Sequence, residues 1–168
     1  MEATCILLQI RPVTREDRGR VAEMYGRLSR DARYQRFLHP KPRITDDELT
    51  FFTDIDHVRH EALAAVDPRD GSFVGVARYA TLGGSATTAD LAFEVVDDWH
   101  GRGVASMLVR HLLARAADNG ITDFIALTLA DNGPARTILK RAGFRVVESS
   151  HGVVELRLGE RSALGLAA

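Results

Sequence analysis

Val21, Met24, Tyr25 and Leu28 recur at i, i+3, i+4 and i+7. They follow Thr14-Arg-Glu-Asp17, which has a hydroxyl at the N-cap and a carboxylate three residues on, so 15–28 is predicted to be an amphipathic helix. Residues 4–11 before it lean towards strand and run into Pro12. Ser29 can cap a short second helix that carries Tyr34, Phe37 and Leu38 and ends at Pro40 and Pro42. Thr45-Asp-Asp-Glu48 repeats the capping pattern and opens a helix with Leu49, Phe52 and Ile55 inward.

From residue 61 the period changes. Runs 61–66 and 72–79 flank Asp67-Pro-Arg-Asp-Gly71, a turn with Pro early and Gly late, and a third run, 89–96, follows Gly83-Gly84-Ser85. These three are expected to form an antiparallel meander. Val104, Leu108, Leu112 and Ala116 make one stripe of a helix over 103–119, which Asn119-Gly120 closes. With strands 89–96 and 121–129 that helix forms a βαβ unit, hence parallel strands. A short helix over 133–142 ends at Gly143, and 144–148 with 153–158 form a hairpin around His151-Gly152. The class expected is α+β: a mixed, mostly antiparallel sheet of six to seven strands, helices on both faces, one central βαβ unit.

The chain has 168 residues, 22 basic and 23 acidic, for a net charge of -1. One domain is expected over 1–168, with its core at about 10–158 and a frayed tail at 161–168. Charge balance argues against a protein that coats nucleic acid. Cys5 is the single cysteine, expected buried and inert in the first strand, so no disulfide framework or thiolate metal site is expected. No run reaches the roughly 20 apolar residues that cross a bilayer, and the N-terminus reads as a strand, not a signal peptide. The expected compartment is the cytoplasm, with no membrane partner; oligomeric state is not read from these features.

The segment Val95-Val-Asp-Asp-Trp-His-Gly-Arg-Gly-Val-Ala105 places glycines where a strand turns into a helix. Bare N–H groups at a helix N-terminus form an anion site, Gly101 and Gly103 admit a phosphate, and Arg102 adds charge. The alternative is a tight turn that merely needs glycine. A dinucleotide fingerprint fits poorly, because Asp123 precedes its strand's apolar run instead of ending it. The P-loop Gly-Lys-Ser/Thr is absent. Strand 89–96 also carries Asp90 and Glu94, which alternation puts on one face roughly 13 Å apart. His57, His60 and Glu61 lack metal-site spacing, and the two histidines read as surface groups. Tyr34, Phe37, Phe51 and Phe52 read as core, and Asp46, Asp47, Asp54 and Asp56 as a solvated acidic face or an attraction for a cationic acceptor.

His100-Gly-Arg-Gly-Val-Ala105 resembles the pyrophosphate loop, Q/R-x-x-G-x-G/A, of the GNAT superfamily of CoA-dependent N-acetyltransferases. Asn132-Gly-Pro-Ala135 resembles the family's N-x-x-A step, and Arg141-Ala-Gly-Phe144 its Gly-Phe ending before the sixth strand. Leu28-Ser-x-x-x-Arg33-Tyr34-x-Arg36-Phe37, Thr45-x-x-Glu48-Leu49 and Asp54-x-Asp56-His57 are similar to the catalytic domain of bacterial Pat-type protein lysine acetyltransferases. Those proteins often carry a second domain, for which this chain is too short. His100 stands where Gln or Arg is usual, and Leu139 where many members have a Tyr that protonates the leaving thiolate.

The resemblance implies an acetyl-CoA-dependent N-acetyltransferase without a metal, acting on a primary amine, with a protein lysine among the candidates. A small-molecule amine or antibiotic acetyltransferase and a non-catalytic CoA sensor are the rivals. It implies that the N–H groups of Gly101, Arg102, Gly103, Val104 and Ala105 hold the cofactor pyrophosphate, and that the pantetheine arm lies beside the strand near Val95 and Val96. His100 belongs to that loop. Asn132 bonds the cofactor or caps the next helix, while Arg136 and Lys140 meet phosphates or face solvent. The Pat-type catalytic Glu maps onto Asp90, with Glu94 as the second candidate base.

Overall fold

The computed structural model describes residues 7–159. Cys5 and the tail from residue 161 lie outside that range. The elements follow the sequence pattern closely. Strand β1 (Gln9–Pro12) leads through a 3-10 turn at Arg15–Asp17 into α1 (Arg18–Arg27), α2 (Arg30–Phe37) and α3 (Asp46–Thr53). Then come β2 (His60–Val66), β3 (Phe73–Thr81), β4 (Thr88–Val95), α4 (Val104–Asp118), β5 (Asp123–Leu129), α5 (Gly133–Arg141), β6 (Arg145–Ser150) and β7 (Val153–Leu158). The predicted helix over 15–28 is thus a 3-10 turn and a shorter α-helix. Pro12 sits in β1 at the sheet edge, where its missing N–H costs no ladder bond.

Local chemistry sets the helix starts. Thr45 accepts the Glu48 N–H, and the Glu48 carboxylate takes the Thr45 N–H at 2.8 Å. Ser29 Oγ accepts the Ala32 N–H at 3.1 Å. Leu38 ends α2 in the left-handed region, φ 61°. Ile55, expected inside the third helix, follows α3 and packs on the core from there.

Among the described residues the sheet has seven strands in the order β1-β2-β3-β4-β5-β7-β6, antiparallel except for β4 beside β5. The α+β class and the central βαβ unit expected from the sequence are present. Neighbours on β3 show the two faces. The Arg78 guanidinium lies over the Phe52 ring of α3, 4.1 Å from its centroid. Gly75, of opposite parity, faces α4: a Cβ there would meet Leu108 Cδ1 at 3.1 Å and the Glu94 carbonyl at 3.0 Å. The helices α1 to α3 therefore cover one face and α4 the other.

Candidate functional site: a parted pair of strands

β4 and β5 pair only over Thr88↔Asp123, Ala89↔Phe124 and Asp90↔Ile125. Beyond Asp90 they separate. β4 stays on β3 as far as Val95, and β5 stays on β7. Between them opens a cleft of about 800 Å³, walled by Leu91–Val95 on one side and Ala126–Thr128 on the other, with residues of α2, α5 and the 100–106 loop at its rim.

Each strand wall offers unpaired main-chain groups. The Val96 N–H bonds the Val74 carbonyl at 2.9 Å, and the Leu82 N–H bonds the Thr88 carbonyl at 3.0 Å, so even-numbered residues of β4 turn their backbone to β3. The Thr122 N–H on the Thr87 carbonyl, at 2.9 Å, shows odd-numbered residues turned to β5. Leu91, Phe93 and Val95 therefore face the cleft. Of the expected pair, Val95 presents its backbone there, while the Val96 N–H is engaged with β3. Phe93 was not singled out from the sequence, although strand alternation alone would have found it.

At the loop, Gly101 and Gly103 have φ of 70° and 77°, and a Cβ at either would meet nothing within 4 Å. Gly103 is the N-cap of α4, so the first amides of Val104, Ala105 and the residue after have no helical partner and open on unfilled space. The His100 ring reaches back to the Val95 carbonyl, 2.7 Å from Nε2, which fixes Nε2 as the protonated nitrogen. Arg102 is stacked on Trp99, 4.9 Å from the ring, and does not line the cleft. Asn132 lines the cleft and caps α5, its Oδ1 accepting the Ala135 N–H at 3.2 Å. Arg136 turns away to the Ala130 carbonyl at 2.9 Å, whereas Arg141, which the sequence places only in the Gly-Phe motif and gives no binding role, lines the cleft. Leu139 is buried in the cleft wall and offers no proton.

The two strand carboxylates share a face and differ in everything else. Glu94 is 5% exposed and accepts from the Tyr25 hydroxyl and, at 2.6 Å, from Arg36 Nε; Arg78 Nη2 lies 3.6 Å away. Burial, then the Glu94 charge, hold the Tyr25 phenol far above its usual value, so it remains a donor. Asp90 is solvent-exposed at the closed end of the cleft and is not part of its lining. The surrounding protein nevertheless raises its carboxyl above the ordinary aspartate value, against a smaller opposing pull from Arg36.

Most of the other polar candidates are occupied, although Asp47 is exposed and makes no ion pair among the described residues. Glu61 pairs with His57 at 2.8 Å and Arg115 at 2.9 Å, and no cluster of three metal-ligating side chains occurs among the described residues. Asp46 and Asp54 pair with Arg18 and Arg15, and Asp56 caps the N–H groups of Val58, Arg59 and His60. Phe52 is core, but Tyr34 and Phe51 are exposed at 42% and 53%. No helix among the described residues is long and apolar enough to cross a membrane.

Known proteins match this geometry. A family model described as an acetyltransferase (GNAT) domain matches residues 8–145. Acetyltransferase Pat of Mycolicibacterium smegmatis is 32% identical over 145 residues, 86% of this chain; the chain spans 43% of the length of that relative. The crystal structure of the GNAT domain of S. lividans PAT superposes with a TM-score of 0.84 at 34% identity, covering 90% of this chain and 89% of that one. A phosphinothricin acetyltransferase from Sinorhizobium meliloti, solved in complex with AcCoA, shares the fold, with a TM-score of 0.72 at 17% identity over 91% of this chain and 89% of its own.

Proposed function

The chain belongs to the GNAT acetyltransferase family, and from that premise we propose that it moves the acetyl group of acetyl-CoA to a primary amine in the cytoplasm. A protein lysine is the acceptor to test first, because the N-terminal half is similar to Pat-type domains. The observation that carries the reading is the parted edge of β4 running into an open glycine loop at the start of α4.

The residues suit the cofactor. The amides of Gly101 to Ala105 would hold its pyrophosphate at the helix N-terminus. Leu91, Phe93 and Val95 would bond the pantetheine amides as a neighbouring strand does, and Asn132 keeps its amide nitrogen for the same ligand. Bound acetyl-CoA would supply the thioester that the amine attacks.

Lysine-like amines rest protonated, with a pKa of about 10.4, so a base must take a proton. Asp90 takes it, directly or through one water, because its carboxyl is raised and makes no ion pair among the described residues. Glu94 is the second candidate, handicapped by its ion pairs with Arg36 and Arg78. A cleft-facing N–H of β4 supports negative charge developing on the thioester oxygen. With Leu139 in place of a phenol, the thiolate leaves unassisted, which a thiol pKa near ~8.5 allows. Release of free CoA in the presence of lysine proteins and a mixed panel of small amines tests the reading. Tight CoA binding with no transfer to any amine would make the protein a sensor instead.

A further inference from the structure

We propose that the acceptor carries a carboxylate beside its amine and that Arg36 reads it in the cleft; the proposal rests on the acyl-transfer reading. Arg36, on α2, lines the cleft and has a side chain 15% exposed. Its Nε is held by Glu94 at 2.6 Å. The two terminal nitrogens make no hydrogen bond to the described residues. A guanidinium anchored at Nε and open at its end presents two parallel donors, the fork that matches a carboxylate.

The charge count around it is unbalanced. Arg36 and Arg78 converge on one buried anion, Glu94. Arg78 is 4% exposed, and its Nε and Nη2 are buried without a hydrogen-bond partner. Tyr25 donates to Glu94 and brings no charge. His60, beside Arg78, is held neutral by burial and by that arginine, with its pKa lowered to about 4. Asp90 forms no ion pair with either arginine and acts on Arg36 only as a weaker, more distant charge; four positions along β4, it lies roughly 13 Å from Glu94. The two arginines therefore share one ion-paired carboxylate at the cleft wall, an arrangement that a further anion would relieve.

The approach has the same sign. Between residues 27 and 43 the chain carries Arg27, Arg30, Arg33, Arg36, Lys41 and Arg43 against a single acid, Asp31. Lys41 pairs with Glu48, but Arg30 and Arg43 are exposed and form no ion pair among the described residues. Of the nearby acids of α3 and its flanks, Asp46 and Asp54 pair with Arg18 and Arg15, Glu48 pairs with Lys41 and Asp56 serves as a cap, which leaves Asp47 as the one without an ion pair among the described residues. Such a field draws anions to the cleft and repels polycationic sequences. The carboxylate has two sources: the acceptor's own, in a free amino acid, or that of an acidic residue flanking the lysine of a protein.

Matched acceptors test this. L-lysine is compared with 1,5-diaminopentane, which lacks only the carboxylate, and a lysine peptide flanked by glutamates with the same peptide flanked by glutamines. The carboxylate member of at least one pair should have a kcat/KM higher by roughly 10- to 100-fold, and the pair that responds names the source. Arg36→Lys keeps the charge and loses the fork. Arg36→Gln removes the charge and leaves Glu94 paired with Arg78, so it strands no buried ion. Both should erase the preference while CoA affinity, measured separately, stays unchanged. Equal use of both members by the unaltered protein, or a preference that survives both variants, overturns the proposal. Equal losses for every acceptor overturn it too, since they would mark Arg36 as structural. If no amine is acetylated, the acyl-transfer reading fails. The subsite is then judged by calorimetric binding of L-lysine and diaminopentane to the CoA-loaded protein, where equal or absent binding sinks it.

Discussion

Asp90 and Glu94 carry the same functional group on one face of one strand, in very different surroundings. Glu94 is tied into a buried wall by its ion pairs with Arg36 and Arg78. Asp90 has no such tie and a raised carboxyl, so the acidic limb of the rate profile should lie above the usual aspartate value of about 3.9. Asp90→Asn should lower kcat by roughly 10²–10⁴-fold at neutral pH, leave CoA binding near its original strength, and lose less at high pH, where more acceptor is already neutral. Undiminished turnover would move the role to solvent, or to Glu94 if Glu94→Gln is crippled. Alternation put both carboxylates on one face in the sequence. The burial of Glu94 was not legible there, because its partners Arg36 and Tyr25 lie 58 and 69 residues away along the chain. A second residue gives a pH prediction. His60 titrates at about 4 in the folded protein and near 6.5 unfolded, because burial and then Arg78 disfavour its charged form. The unfolded chain binds the extra proton first, so stability falls as pH drops from about 6.5 towards 4. Denaturant unfolding of His60→Gln should show a flatter profile across that window, and an unchanged slope would refute the assignment.

Among the elements, the joint between β4 and α4 is the most demanding. Gly103 holds φ 77° at the N-cap, and open space adjoins it. Gly103→Glu puts a side chain in a left-handed position, which costs about 1–2 kcal/mol, and sets a negative charge in an anion cradle. It should abolish CoA binding by calorimetry while circular dichroism still reports a folded protein; unaltered affinity would contradict the cradle. On α5, Leu139→Ala should cost roughly 2–5 kcal/mol of stability as a buried truncation, yet leave the shape of the pH–rate profile unchanged. A shift in its basic limb would mean that this wall takes part in proton transfer. The glycines and the caps at Ser29 and Thr45 were readable because each acts within a few residues of itself. What remained hidden was direction. Nothing local to Arg136 or Arg141 says which of two helix cations turns away to the Ala130 carbonyl and which meets the cleft.

At the scale of the molecule, the meander, the βαβ unit and the final hairpin were all legible, because period and turn chemistry report connectivity directly. The order of strands past β5 was not. β7 inserts between β5 and β6, so the last strand in the chain is internal and the one before it lies at the edge. The residues agree with that placement: β6 is exposed throughout, while β7 buries Val154 and Leu156. The deeper asymmetry is charge. A chain of net charge -1 concentrates its surplus cations in α2 and the loop that follows it, which a whole-chain total conceals.

The separation of β4 from β5 also bears on folding equilibria. Apart from their three paired positions, these two strands face one another across empty space in the middle of the sheet, so the bare protein is a seven-stranded structure with a gap where a further ladder would run. Any ligand that completes the ladder binds only the folded chain and displaces unfolding by mass action. At a ligand concentration 100 times its dissociation constant, that amounts to about 2.7 kcal/mol, or roughly 5–10 °C in melting temperature for a chain of this size. A thermal scan with and without CoA measures it, and an unmoved midpoint at saturating CoA would mean that the gap is filled by something else. The reserve of folded protein is then tied to the supply of CoA, free and acylated together: when that pool falls, the population exposed to unfolding and proteolysis rises before any change in synthesis.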